Sequence, residues 1–381
     1  MKHKLILLST FILCGCSSKI IDFTPEQKEI GFKVSSPVMT KSSSQLKGNM
    51  TKSSTTYSFD VYNCGFGITA FNTEERNWSG NVDIKPNFMW NQQVVKQSTV
   101  WKYAPIKYWS IDNSQKISFF AYAPYSANGE FGIRPSANNV AGRPYLDFTL
   151  ANPGNMTDLL ANQQIDQTGV DGNGKEQSVS FKLSHILCSI VLKAKINKTY
   201  IKEPGITSFV YLKKLYLQRS GALYSSGRYY FAEQTDSAGR WELGQSDLSV
   251  ADIDLMPVVD KTINSNSKDS VSGLRGLYPS ILESTAQELF TDNQALFLIP
   301  SNNSHGTTGN GDISIGVEYC IVTLDPSLEC GYVITNNRLT IPLPAGALKM
   351  NTSYTYTIEL SAKTIELKGE MKSWGESKSI S

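Results

Sequence analysis

Tyr354-Thr355-Tyr356-Thr357-Ile358-Glu359-Leu360 alternates apolar and polar side chains. After a short interval, Ile365-Glu366-Leu367-Lys368-Gly369-Glu370-Met371-Lys372 does the same. A period of two sends successive side chains to opposite faces of a strand, so the two runs predict a hairpin of half-buried strands. The same period recurs upstream. Ile186, Cys188, Ile190, Leu192, Ala194 and Ile196 share one predicted face. Within residues 209–217, Tyr211, Leu215 and Leu217 fall on one side. Ala295-Leu296-Phe297-Leu298-Ile299-Pro300 reads as a buried strand closed by proline, with residues 313–324 and 331–341 following as its partners.

The first half of the chain carries denser aromatic runs. Tyr57-Ser58-Phe59-Asp60-Val61-Tyr62 opens it, followed by Trp101-Lys102-Tyr103, Lys107-Tyr108-Trp109 and Ile117-Ser118-Phe119-Phe120-Ala121-Tyr122-Ala123-Pro124-Tyr125. Large rings bury much area per residue, which suits a β-sandwich core. Charged residues make up 18% of the chain, against 18 Tyr and 16 Phe, and helix-forming windows are scarce. The fold class predicted is all-β, with few helices. The 381 residues exceed one ordinary core, so two sandwich domains in tandem are expected. The polar, Gly-rich stretch 166–177 sets the boundary, giving domains over residues 53–176 and 177–381. Asp171 and Asn173 fit the start of a calcium loop, but Lys175 and Glu176 stand where a ligand and the glycine belong, so a linker is the better reading.

The N-terminus has its own organisation. Lys2, His3 and Lys4 precede the apolar run 5–13, which is too short for the roughly 20 residues that a spanning helix needs. It reads as a secretory signal over residues 1–15. Leu13-Cys14-Gly15-Cys16 resembles a bacterial lipobox, with Cys16 as the lipidated residue. Residues 16–52 read as a tether, rich in Ser and Lys, with one short strand in which Ile30, Phe32 and Val34 alternate with Gly31 and Lys33. Lys41, Lys47 and Lys52 follow it as sites for a protease of trypsin-like preference.

Little in the sequence supports catalysis, a metal or a cofactor. Of three His, His3 leaves with the signal, His305 lies in a loop of Asn, Gly and Thr, and His185 opens an apolar strand as a hydrogen-bonded structural residue. No Gly-x-Ser-x-Gly, His-Glu-x-x-His or Cys-x-x-Cys pattern occurs. Trp78, Trp90 and Trp101 read as core rather than as a carbohydrate platform. The formal charge of +2 comes with no basic run, which argues against nucleic acid as partner. Cys320 and Cys330 flank the turn signal Asp325-Pro326-Ser327 and can be bridged across a hairpin; the alternative is that Cys64, Cys188, Cys320 and Cys330 are buried thiols. Asp236-Ser237-Ala238 and Asp269-Ser270-Val271 match a short O-glycosylation pattern.

Taken in order, these pieces resemble the fimbrillin-like proteins of Bacteroidetes, the pilins of type V pili. The matching residues are the lipobox at Cys16, the strand before Thr40-Lys41-Ser42, Trp101-Lys102-Tyr103, Lys107-Tyr108-Trp109, residues 117–125, Asp158-Leu159-Leu160, residues 181–185 and the ending from Tyr354 to Trp374. The resemblance implies two transthyretin-like sandwich domains, export as a lipoprotein to the outer membrane, and no enzymatic activity. It implies that an extracellular trypsin-like protease removes the leader with the first strand, and that a neighbouring pilus subunit fills the vacated groove by donor-strand exchange, building an adhesive fimbrium. The family cuts after Arg, whereas every candidate here is Lys. Only residues 375–381 follow Trp374, which points to a tip or accessory position. The alternatives are a pilus anchor or a surface lipoprotein that binds glycan or host protein without polymerising.

Overall fold

The structure, a computed structural model, describes residues 28–40, 56–57, 65–79, 83–171, 174–196, 207–219, 223–243, 253–256, 284–290, 296–300, 313–343, 348–360, 365–373 and 376–379. Cys16, Lys41, Lys47, Lys52, Cys64, His305 and Asp269 lie outside the described residues. The described part is all-β, with a 3-10 turn at Glu130–Gly132.

A six-stranded sheet runs in the order Ser184–His185, Leu160–Gln167, Lys116–Ala123, Phe66–Glu74, Met89–Gln97 and Val100–Lys102. Its centre is apolar on both faces: Ile117, Phe119, Phe120, Ala121, Tyr122 and Ala123 are all buried. A strand covered on both sides cannot keep a polar alternation, which is why residues 117–125 read as a continuous run. A second sheet joins Cys188–Ile196 to Thr352–Leu360 and Ile365–Ser373, with the short strands Gln287–Glu288 and Leu296–Leu298 also on Cys188–Ile196. The hairpin predicted from the opening stretch forms, with Tyr354 opposite Met371 and Ile358 opposite Leu367. The six residues predicted on one face, Ile186 and five within Cys188–Ile196, are all buried. Its partner Thr352–Leu360 runs parallel to it, Cys188 facing Thr352 and Ile196 facing Leu360.

A third sheet runs Ile253–Asp254, Thr207–Arg219, Ile313–Leu324 and Tyr332–Pro342. The sequence placed Tyr211 with Leu215 and Leu217; the structure separates them. A bulge between Leu212 and Lys214 inserts one residue, so Tyr211 pairs with Cys320 while Leu215 pairs with Val317. Tyr211 therefore packs with Cys320 and Val322 in a small cluster of its own, and Leu215 and Leu217 join the main core. Gly316 is required where the Tyr216 ring crosses it, since a Cβ there would meet the ring at 2.1 Å.

A fourth sheet runs Arg240–Leu243, Ser226–Tyr230, Tyr145–Thr149 and Ile133–Pro135. It pairs residues 226–230 with 145–149, so strands from either side of residue 176 share one sheet. The buried apolar residues from both halves form one contiguous cluster.

Of the two readings left open for Cys320 and Cys330, the bridge is absent. Both thiols are free, and the hairpin register places Asn336 opposite Cys320. Cys330 sits instead in the turn closed by Asp325 N donating to Gly331 O at 2.9 Å, and it is exposed, so it is not a buried thiol either.

Candidate functional site

Ile30, Phe32 and Val34 are 1%, 6% and 2% exposed, and Gly31 and Lys33 between them are exposed. The alternation read from the sequence is thus the alternation of the structure, on a strand that extends over Phe32–Thr40. Aliphatic and aromatic residues at every second position drive one face of this segment inward.

The segment lies between two backbone edges that come from distant parts of the chain. On one side Ile30 N donates to Lys107 O at 2.9 Å and Trp109 N donates to Lys28 O at 2.8 Å. On the other, Val179–Lys182 runs parallel to it, Phe32 facing Val179 and Val34 facing Phe181. Val179 N donates to Gly31 O and Leu183 N donates to Ser35 O, each at 2.9 Å. The Tyr103 hydroxyl donates to Ile30 O at 2.9 Å, and burial raises its pKa. Lys28 pairs with Glu176 at 2.8 Å at the exposed rim.

Beneath the strand is an aromatic box. The Phe32 ring centroid lies 5.2 Å from Tyr103, 6.0 Å from Phe119, 6.1 Å from Phe181 and 6.4 Å from Phe66. Trp101 packs on Phe66 and Trp109 on Phe119. The aromatic runs read from the sequence as generic core are therefore the walls of this seat. Tyr103, Trp109 and Phe181 were not singled out as site residues; their signal was only that three separate aromatic motifs had to converge on something. Burying three side chains, at about 1.5–3 kcal/mol each, holds the strand together with its ladder hydrogen bonds.

Further along, Ser35 to Val38 pair antiparallel with Glu376–Ser379, and Met39 and Thr40 pair with Thr56–Tyr57. The C-terminal residues, read as a short tail, thus form a strand on the first one.

The remaining candidates do not form a reactive centre. His185 Nδ1 lies 2.5 Å from Asp158 Oδ2 with both side chains fully buried, as a structural histidine should be. Asp171 and Lys175 hold each other, with Lys175 N donating to Asp171 Oδ1 at 2.9 Å and Asp171 N to Lys175 O at 2.7 Å. Trp78 and Trp101 are core, but Trp90 is 44% exposed and donates from Nε1 to Ser136 O. Asp236 accepts from Asn162 and Gln164, which fixes the loop that holds Ser237.

Comparison with known proteins agrees with this architecture. A fimbrillin-like family model matches residues 51–374. Fimbrium subunit Fim1C of Phocaeicola vulgatus is 30% identical over 392 residues, covering 98% of this chain and 96% of that one. A crystal structure of a fimbrial protein from Bacteroides vulgatus ATCC 8482 superposes with a TM-score of 0.70 at 27% identity, covering 91% of this chain and 99% of the other. Family, length and fold coincide, and the chain belongs to the fimbrillin-like family of fimbrial subunits, a structural family rather than an enzymatic one.

Proposed function

We propose that this subunit is exported as a lipoprotein through Cys16 and enters the fimbrium by donor-strand exchange. Cleavage after Lys41, Lys47 or Lys52 releases the lipidated leader together with Ile30, Phe32 and Val34. A strand from a neighbouring subunit then takes their place. The single observation that carries this reading is the two-sided seat of residues 28–35. It is built entirely from later parts of the chain, so losing the strand leaves the seat standing with unpaired ladder groups and an open aromatic box. Such a groove recruits another strand, and the joint dissociates slowly because it buries side chains along its whole length. Cleavage also removes Ser35 to Val38, the partners of Glu376–Ser379, so the last strand is freed at the same time. The fimbrium it joins lies outside the cell and mediates adhesion.

The test is limited digestion of the full chain with trypsin, followed by an unheated denaturing gel. Digested wild type gives a ladder of oligomers; the K41Q/K47Q/K52Q variant gives none. A cleaved wild type that stays monomeric contradicts polymerisation and supports the non-polymerising surface lipoprotein.

A further inference from the structure

Sheet edges expose unpaired ladder groups, and folded proteins keep them short, charged or covered. Most edges here obey that rule. Among the described residues, the outer strands Ser184–His185, Val100–Lys102, Gln287–Glu288, Ile253–Asp254, Arg240–Leu243 and Ile133–Pro135 span two to four residues each. The longer outer strand Ile365–Ser373 carries Glu366, Lys368, Glu370 and Lys372.

Tyr332–Pro342 breaks the rule. Among the described residues it is an 11-residue outer strand with one charge, Arg338, and no interior proline. Its pairing with Ile313–Leu324 runs without a bulge from Tyr332 to Pro342, so the free side is straight. Val333 and Ile334 are 46% and 39% exposed, and Thr335 and Asn336 beside them are exposed too. Arg338 is drawn toward its own sheet, donating from Nε to the Tyr216 hydroxyl at 3.1 Å.

We propose that this strand is a contact between two copies of the chain, joined edge to edge in antiparallel register about Asn337. Antiparallel pairing requires partners whose backbone groups point the same way, so a two-fold register must centre on a residue. Centred on Asn337, the full strand overlaps: Val333 faces Ile341, Thr335 faces Leu339, Ile334 faces Thr340 and Asn336 faces Arg338. Exposed β-branched residues then meet apolar or β-branched partners on both faces. The strand's own cation, Arg338, falls opposite Asn336 rather than opposite its copy, so no two arginines meet; Lys213, which donates from Nζ to Asn336 Oδ1 at 2.9 Å, is the other cation on that face. This self-compatibility selects a second copy as the occupant. The contact uses none of the first-strand seat, so it operates in the uncut subunit and stands or falls apart from donor-strand exchange.

The test uses the uncut full chain in detergent, studied by sedimentation velocity over a concentration series, with Asn337→Asp and Asn337→Lys as variants. Each variant sets two like charges face to face at the two-fold axis, while an equimolar mixture sets Asp opposite Lys. Wild type is expected to dimerise with rising concentration, each variant alone to stay monomeric, and the mixture to recover the dimer. Recovery on mixing also proves that both variants fold. A wild type that stays monomeric throughout, variants that dimerise like wild type, or a mixture that fails to recover the dimer would each overturn the proposal.

Discussion

The Phe32 ring lies 6.1 Å from that of Phe181, 29° from parallel, although the boundary read from the sequence at residue 176 falls between them. The contact ties the first strand to Val179–Lys182, its parallel neighbour. Parallel strands cannot be joined by a tight turn, so the chain between them must cross back over before they can meet. Because the flanking edges come from distant segments, the strand's own side chains decide how firmly it is held.

Phe32→Ala should loosen that insert. Removing a buried phenylalanine costs about 3–5 kcal/mol, here concentrated on one strand. Amide exchange at Val179 and Leu183, which donate to Gly31 and Ser35, should accelerate strongly. Lys33→Ser, on the exposed side of the same strand, should leave both amides protected. Equal protection in wild type and Phe32→Ala would show that the ring does not hold the strand.

Asp158 and His185 tie the start of Leu160–Gln167 to Ser184–His185, whose residues pair with Leu160 and Ala161. Breaking a fully buried pair by removing one partner typically costs 3–5 kcal/mol, about as much as a core cavity. Asp158→Ala and His185→Ala should each lower the unfolding free energy measured in urea by that amount, and the double variant should cost less than their sum. Additive losses would mean the two side chains act separately.

Glu130 accepts from Asn128 N at 2.7 Å and from the Ser126 hydroxyl at 3.1 Å. The Asn128 backbone bond, the largest cause, lowers its pKa from 4.5 to about 2. A carboxylate depressed in the folded state adds stability that is fully present above its unfolded pKa and is lost as pH falls through the folded one. The stability gap between wild type and Glu130→Gln should therefore be constant above about pH 4.5 and close between there and pH 2. Thermal unfolding of both proteins across that range measures it; a gap that persists at pH 2 would assign the effect to shape rather than charge.

Burial pushes the Cys188 thiol up to about 12, while Cys330 sits exposed in its turn. Iodoacetamide should label Cys330 in the native protein and reach Cys188 only after denaturation. Peptide mass spectrometry reads the result, and native labelling of Cys188 would mean that its strand opens readily.

Much of this arrangement was legible before any coordinates. Ile30, Phe32 and Val34 announced a one-sided strand, and residues 354–371 announced a hairpin, because a period of two fixes which face each side chain takes. It does not fix the neighbour. Nothing in residues 30–34 specified residues 179–182 as their parallel partner, nor that Cys188–Ile196 would lie beside Thr352–Leu360. The bulge after Leu212 was invisible for a related reason: one inserted residue reverses the face of everything before it, and Tyr211 followed. Cys330 misled because a turn signal marks a reversal without fixing its length. The turn reached Gly331 and carried the register past Cys330 to Asn336.

The most direct test of the account is N-terminal sequencing of this subunit in fimbriae sheared from cells. Assembly through the vacated seat predicts a chain that begins at Ser42, Gly48 or Ser53, with no peptide containing Phe32. Assembled subunits that retain an acylated Cys16 and the intact first strand would contradict it.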